Sequence, residues 1–265
     1  MNSNTFMLHT SPIFVRNLIT IIMKRTIITL AILVAVTTGS HAQRSQEGTI
    51  EIARNQVLVE TVLTEEEQAA LSPAQVLESL RAGNERFVRS ELTARDHSVQ
   101  IRESVEAQFP KAIVLSCVDS RVPVEDVFDK GIGDIFVARV AGNFINDDIL
   151  GSMEFATKVA GAKLILVMGH ENCGAVHAAI DGAELGHITG MLKNIEPAVK
   201  LSTMAKGPRS SQNRLLVHEV SENNVRLAVA KISKESSLLK GMMKNGEIDI
   251  KGAVYDMDTG VVNFL

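Results

Sequence analysis

Three short apolar runs, separated by longer amphipathic stretches, constrain the fold of this chain most strongly. The runs are AIVLS (112–116), DIFVARV (134–140) and KLILVMG (163–169). Between the last two lies DDILGSMEFATKVAG, which is typical of a helix that ends at Gly161. Apolar strands that alternate with helices predict parallel pairing, because each crossover helix returns the chain to the same end of the sheet. The sequence therefore predicts one α/β domain with a central, mostly parallel β-sheet flanked by helices.

Helix and turn signals outside these runs complete the predicted domain. SPAQVLESLRAGNERFV has Ser72 as an N-cap and Pro73 at the first helical position. The pair Gly83–Asn84 interrupts this pattern and predicts a bend or an exposed turn. Towards the C-terminus, QNRLLVHEVSENNVRLAVAKISKES predicts a long amphipathic helix, and IDIKGAVYDMDTGVVNF predicts a closing β-hairpin with DTG at its turn.

The N-terminal part of the chain has the layout of a secretory signal peptide. MKRTIITLAILVAVTTGSHAQ begins at Met23 with two positive charges and continues with an uncharged, mostly apolar stretch. Small residues, Ser40 and Ala42, precede a cleavage point before Gln43. The apolar stretch is too short to cross ~30 Å of hydrocarbon as a helix, so no stable membrane anchor is expected.

These signals divide the chain into three parts and predict export to the periplasm or secretion. Residues 1–42 are interpreted as an N-terminal extension and signal peptide, 43–63 as an N-terminal segment, and 64–265 as the catalytic domain. The net charge of -4 over 265 residues gives no electrostatic footprint for nucleic acid, so no nucleic-acid partner is expected.

The two cysteines of the chain follow two of the predicted strands. Cys117 opens the stretch CVDSR after the first apolar run, and Cys173 lies in GHENC after the third. Sites in open parallel sheets form beyond the carboxyl ends of the strands. If these strands are neighbours, His170 and Cys173 approach Cys117, and a helix that starts at His170 would place it and Cys173 on one face. In an extended run, Asp119 and Arg121 would point the same way as Cys117.

Two interpretations of this arrangement remain open from the residues alone. In an oxidising compartment, two cysteines suggest one disulfide. Two thiolates and one imidazole are also a zinc set with three protein ligands, which leaves the fourth position open for water. His177 could compete as a ligand four residues after Cys173, although a half-exposed helix histidine is favoured.

At these residues the chain resembles the β-class carbonic anhydrases from about Ser72 to the C-terminus. The motifs are CxDSR (117–121) and HxxCG (170–174), and three supporting segments stand in order with them. These segments are LRAGNERF (80–87), GIGDIFVARVAGN (131–143) and GAVYDMDTG (252–260). The resemblance implies one Zn²⁺ per chain with the ligands Cys117, His170 and Cys173.

The resemblance also implies reversible hydration of carbon dioxide to bicarbonate and a proton. Asp119 and Arg121 would form a catalytic dyad beside the metal, with Asp119 as a fourth ligand in an inactive state. Family members assemble as homodimers or higher homo-oligomers, so an oligomer is expected. Two alternatives remain. One is a hydrolase of carbon disulfide or carbonyl sulfide, because relatives on this fold use the same zinc set. The other is a catalytically silent zinc- or bicarbonate-binding protein.

Overall fold

The computed structural model of the protein describes residues 62–265, and all of them belong to the same compact unit. The predicted signal peptide and nearly all of the 43–63 segment lie outside the described residues. The strands are β1 (Ala112–Ser116), β2 (Ile135–Arg139), β3 (Leu164–His170), β4 (Asp249–Tyr255) and β5 (Val262–Phe264). The helices before β3 are α1 (Glu65–Ala70), α2 (Pro73–Val88), α3 (His97–Glu103), α4 (Val124–Val127) and α5 (Asp147–Glu154). Helix α5 continues as a π-helical turn over Phe155–Val159. The helices after β3 are α6 (Gly174–Ile180), α7 (Gly186–Leu192), α8 (Glu196–Leu201), α9 (Arg214–Glu235) and α10 (Ser237–Lys244).

The five strands form one sheet in the order β2–β1–β3–β4–β5. The first four strands are parallel, and β5 closes the sheet antiparallel to β4. In register, Ala112 lies between Ile135 on one side and Leu164 on the other. The predicted mostly parallel sheet, its three apolar strands and the C-terminal hairpin are therefore confirmed, and β1 and β3 are neighbours.

Both faces of the sheet are covered by helices, which explains why the strands are apolar without alternation. Successive side chains of a strand point to opposite faces. Ile113 and Leu115 of β1 pack in one core with α5, α9 and α10. Val114 packs in the other core with α2 and α4. No helix within residues 62–265 is both long and apolar enough to span a membrane.

Helix α2 begins as predicted but is not interrupted at Gly83–Asn84. Ser72 accepts a hydrogen bond from the backbone of Gln75, and Pro73 occupies the first turn. Gly83 lies so close to the backbone carbonyl of Phe128 that a Cβ atom could not fit. Asn84 is buried and joins the helix to the rest of the domain through its side chain. The expectation of a bend or exposed turn was wrong, because both residues serve tight packing inside a continuous helix.

Candidate metal centre

Three side chains with metal-binding atoms meet at the carboxyl edge of the sheet. Cys117, His170 and Cys173 are all buried, and one ligand atom from each lies within 4.8 Å of the other two. They meet because β1 and β3 are adjacent and parallel, so the residues that follow both strands reach the same edge. His177 lies outside this cluster on α6 and is partly buried, as the sequence predicted.

Each of the three residues is positioned by a different local structure. Cys117 directly follows β1, His170 is the last residue of β3, and Cys173 is the N-cap of α6. The chain turns sharply between β3 and α6 through Asn172, whose φ is 54°. The expectation that His170 and Cys173 share the first turn of one helix was therefore wrong. A strand end and a helix start bring them together instead.

The imidazole of His170 is oriented so that one nitrogen is left for a metal. Its Nδ1 lies 2.8 Å from the carbonyl oxygen of Glu171, and because a carbonyl only accepts, Nδ1 carries the proton. Its Nε2 is buried and has no hydrogen-bond partner. A buried polar atom without a partner is costly, whereas a metal-binding histidine has this arrangement. The ring thus presents a lone pair to the space between the two cysteines.

The two cysteine sulfurs are spaced as zinc ligands rather than as a disulfide. Both thiols are free, and their Sγ atoms lie 3.9 Å apart. A disulfide bond needs ~2.0 Å. Two sulfurs bound at ~2.3 Å to a tetrahedral zinc ion lie about 3.8 Å apart. The donor set and its spacing therefore fit a zinc ion with three protein ligands.

The electrostatics of the cysteine pair favour a thiolate at Cys117. The hydrogen bond with Cys173 lowers the pKa of Cys117 to about 4, and contacts with His170 and the Gly142 N–H act in the same direction. The same hydrogen bond with Cys117 raises the pKa of Cys173, and burial raises it further. Zinc binding requires both sulfurs as thiolates, so it displaces the remaining thiol proton.

Asp119 and Arg121 form a bidentate ion pair beside these ligands. The Arg121 Nε and Nη2 atoms lie 2.9 and 2.7 Å from the two carboxylate oxygens of Asp119. The Arg121 hydrogen bond also holds the pKa of Asp119 well below its usual value, so the carboxylate is ionised. Asp119 Oδ2 lies 3.9 Å from the free Nε2 of His170. The pair thus borders the space that the ligand atoms face.

The backbone around this pair differs from the extended run expected from the alternation of residues. Strand β1 ends at Ser116, and the chain turns at Ser120 and Arg121. The backbone N–H of Arg121 donates to Asp119 Oδ1 at 3.0 Å, which stabilises the turn. Asp119 and Arg121 therefore meet because the chain folds back, whereas strand alternation was the wrong reason.

Two further groups fix the loop that carries Cys117, and sequence reasoning missed both. Arg139, at the end of β2, donates to the carbonyl oxygens of Cys117 and Asp119 at 2.7 and 2.5 Å. The backbone N–H of Gly142 lies 3.3 Å from Cys117 Sγ. Both residues stand in the segment RVAGN, which the sequence analysis used only as a sign of resemblance. The sequence signal that could have indicated this role was their position at and just after the end of a predicted strand.

Comparisons with known proteins agree with this geometry. A family model described as carbonic anhydrase matches residues 112–262. Carbonic anhydrase 2 of Mycobacterium tuberculosis is 36% identical over 195 residues, which cover 71% of this chain and 91% of that protein. The β-carbonic anhydrase CafA of Aspergillus fumigatus superposes with a TM-score of 0.57 at 26% identity, over 64% of this chain and 81% of CafA. One of two tetrameric β-carbonic anhydrases of Sordaria macrospora shares the fold at 20% identity, with a TM-score of 0.56 over 62% of this chain and 85% of that one.

Proposed function

Because the chain belongs to the β-carbonic anhydrase family, we propose that it hydrates carbon dioxide reversibly with one zinc ion held by Cys117, His170 and Cys173. The observation that carries this proposal is the buried, unpartnered Nε2 of His170 between two free thiols. Left unpaired, this buried nitrogen would cost stability, whereas a bound zinc ion would give it a partner. The products of the proposed reaction are bicarbonate and a proton.

The zinc ion, when bound, supplies a Lewis acid that makes a water molecule acidic and nucleophilic. Asp119 contributes the orientation of that water. An ionised carboxylate only accepts hydrogen bonds. Asp119 Oδ2 lies 3.9 Å from His170 Nε2. From this position it would accept a hydrogen bond from the reacting water and so orient a lone pair of the water oxygen towards carbon dioxide.

Arg121 keeps Asp119 ionised and in the orientation that this role needs. Its guanidinium engages both carboxylate oxygens, and its Nη2 lies 3.3 Å from the carbonyl oxygen of Asn172. A planar guanidinium grips a carboxylate with two parallel hydrogen bonds. Arg121 therefore prevents Asp119 from turning to the metal as a fourth ligand, which would exclude water.

Stopped-flow measurement of carbon dioxide hydration with a pH indicator tests the proposal. The zinc-loaded protein should accelerate hydration well above the buffer rate, and His170→Ala, which lacks the free nitrogen, should not. No turnover by zinc-replete protein would overturn the proposed function. Turnover of carbonyl sulfide or carbon disulfide without turnover of carbon dioxide would identify the hydrolase alternative instead.

A homo-oligomer is the assembly that we propose for the chain. In the described part of the chain, β2 is an edge strand whose outer side has no partner. Close to it, Phe155 packs edge-on against Phe136 and is 51% exposed, and Val159 is 72% exposed. Unpaired edges with exposed apolar side chains favour association with another chain. Sedimentation equilibrium should give a dimer or larger species, and a monomer at micromolar concentration would contradict this.

Export from the cytoplasm with cleavage before Gln43 is also proposed, supported by the charged and apolar pattern that begins at Met23. N-terminal sequencing of protein from the extracytoplasmic fraction should begin at Gln43. A mature chain in the cytosol that retains Met23 would contradict the proposal.

A further inference from the structure

The turn that follows β2 has a backbone conformation that only a few residues can adopt. Gly142 and Asn143 both have positive φ, of 82° and 41°. A Cβ atom at Gly142 would also collide with the side chain of Ile195. Glycine and asparagine are the residues that adopt a positive φ most readily, so the sequence of this turn suits its conformation. The consequence of the turn is that the Gly142 N–H lies 3.3 Å from Cys117 Sγ.

Asn224 fixes this turn from a distant part of the chain. It lies on α9, and the residue as a whole is only 3% exposed. Its Nδ2 donates to the carbonyl oxygen of Gly142 at 2.8 Å. Asparagine is a weak helix former, and a buried amide is costly unless it is hydrogen-bonded. Asn224 therefore holds the carbonyl of the same residue whose backbone N–H contacts the Cys117 sulfur.

We propose that Asn224 is a positioning residue for the metal centre. By holding the Gly142 carbonyl, it keeps the Gly142 N–H on the sulfur of Cys117. A hydrogen bond to a thiolate stabilises its negative charge and reduces the electron density that it gives to a metal. Asn224 thus tunes the metal from the far side of Cys117, without contact to substrate. This role rests on the proposed function only in that Cys117 is a zinc ligand.

The surroundings of Asn224 allow variants that fold. It borders a cavity of ≈ 420 Å³, also lined by Phe144 and Ile145, that lies between α9 and the loop after the turn. In Asn224→Ala, water from this cavity can reach the Gly142 carbonyl, so the variant loses the fixed hydrogen bond but leaves no dry void. Asn224→Asp keeps the size of the side chain and replaces the amide donor by an oxygen.

Asn223 offers a matched control on the same helix. Its Nδ2 donates to Ser202 Oγ at 2.9 Å, whereas the Nδ2 of Asn224 donates to the turn at Gly142. Asn223→Asp and Asn223→Ala therefore remove a similar hydrogen bond from α9 without affecting Cys117. Any difference between the two pairs of variants reports on the metal centre rather than on general helix stability.

Zinc affinity and the cadmium spectrum of each variant test the proposal. Competition with a chromophoric chelator measures zinc affinity, which Asn224→Asp and Asn224→Ala should weaken by roughly 10- to 100-fold, as for other outer-shell partners. The weakening is expected because the loss of a fixed position for the Cys117 sulfur outweighs its stronger electron donation. With cadmium bound, the thiolate-to-metal charge-transfer band of both variants should move to longer wavelength, because the sulfur electrons lose a stabilising donor. Both Asn223 variants should match the wild type in affinity and spectrum.

The result that overturns the proposal is an unshifted cadmium band with wild-type zinc affinity in folded Asn224→Ala or Asn224→Asp. Equal effects of the Asn223 and Asn224 variants would also overturn it, since they would reflect the helix alone. Neither measurement requires turnover. An inactive wild-type enzyme would therefore reject the proposed function and leave this test of Asn224 intact.

Discussion

A buried ionic cluster around Asp129 makes the replacement Asp129→Asn a stringent test of how the domain is stabilised. The Asp129 side chain has no exposed surface and accepts hydrogen bonds from Arg86, Thr93 and Arg95. The side chain of Arg95 is itself only 8% exposed, and its Nη1 lies 2.7 Å from Asp129 Oδ1. The cluster joins α2 and the segment before α3 to the turn after α4. Its loss would therefore loosen the helical layer on that face of the sheet.

The expected loss of stability follows from the burial of both charges. Asparagine preserves the shape of the side chain but removes the buried negative charge that faces Arg86 and Arg95. Removal of one partner from a buried ion pair costs about 3–5 kcal/mol. For a domain of this size, that loss corresponds to a decrease in melting temperature of roughly 6–20 °C. The surface pair Arg89–Glu91 provides the control, because both side chains are more than half exposed and Glu91→Gln should cost about 1 kcal/mol or less.

The pH dependence of the effect identifies its electrostatic origin. Burial alone would raise the pKa of Asp129, but the hydrogen bonds from Thr93, Arg95 and Arg86 outweigh it and hold the pKa well below its ordinary value. A lowered folded-state pKa contributes stability above the ordinary value of about 3.9, and this contribution is lost as the pH falls towards the folded-state pKa. In urea unfolding, the stability gap between wild type and Asp129→Asn should be constant from pH 8 to about pH 5 and narrow below about pH 4. A gap below about 1 kcal/mol at neutral pH, or one that widens in acid, would refute the reasoning.

Three further predictions concern single side chains. Asn84→Ala should lower the free energy of unfolding by about 3 kcal/mol in urea titrations, because two buried backbone groups and one partly buried group each lose a partner. A loss below about 1 kcal/mol would contradict this. Arg121→Ala should lose most hydration activity yet retain zinc in metal analysis. Arg121→Lys should also be impaired, because an ammonium group cannot bind both oxygens of Asp119 in the bidentate manner. Near-normal turnover in either variant would refute the role of Arg121. Cys173→Ser should contain far less than one zinc per chain, and full occupancy would show that the ligands are assigned wrongly.

The sheet and the convergence of the ligands could be predicted from the sequence because both depend on local patterns. The run AIVLS is β1 with the predicted boundaries, so Cys117 directly follows this strand. The run KLILVMG corresponds to β3, which ends at His170. Parallel pairing then places both residues at one edge. The local conformations expected at the site were wrong. Cys173 is a helix N-cap rather than a residue in the same helical turn as His170, and Arg121 lies in a turn rather than in an extended run.

The contacts that hold the site in place could not be predicted, because they join residues far apart in the chain. Asn84 bonds to a backbone carbonyl 176 residues away, so its sequence neighbours suggested only a broken helix. Asn224 and Gly142 are 82 residues apart, and no local pattern connects them. Arg139 is the last residue of β2, and its sequence neighbours do not indicate whether its guanidinium faces solvent or bonds to the neighbouring loop.

Titration of metal-depleted protein with zinc, with carbon dioxide hydration followed at each addition, tests the central claim most directly. If Cys117, His170 and Cys173 hold the catalytic ion, activity should rise in proportion to added zinc and stop rising at one zinc per chain. Activity that does not depend on zinc, or that continues to rise well beyond one equivalent, would contradict the assignment of this centre.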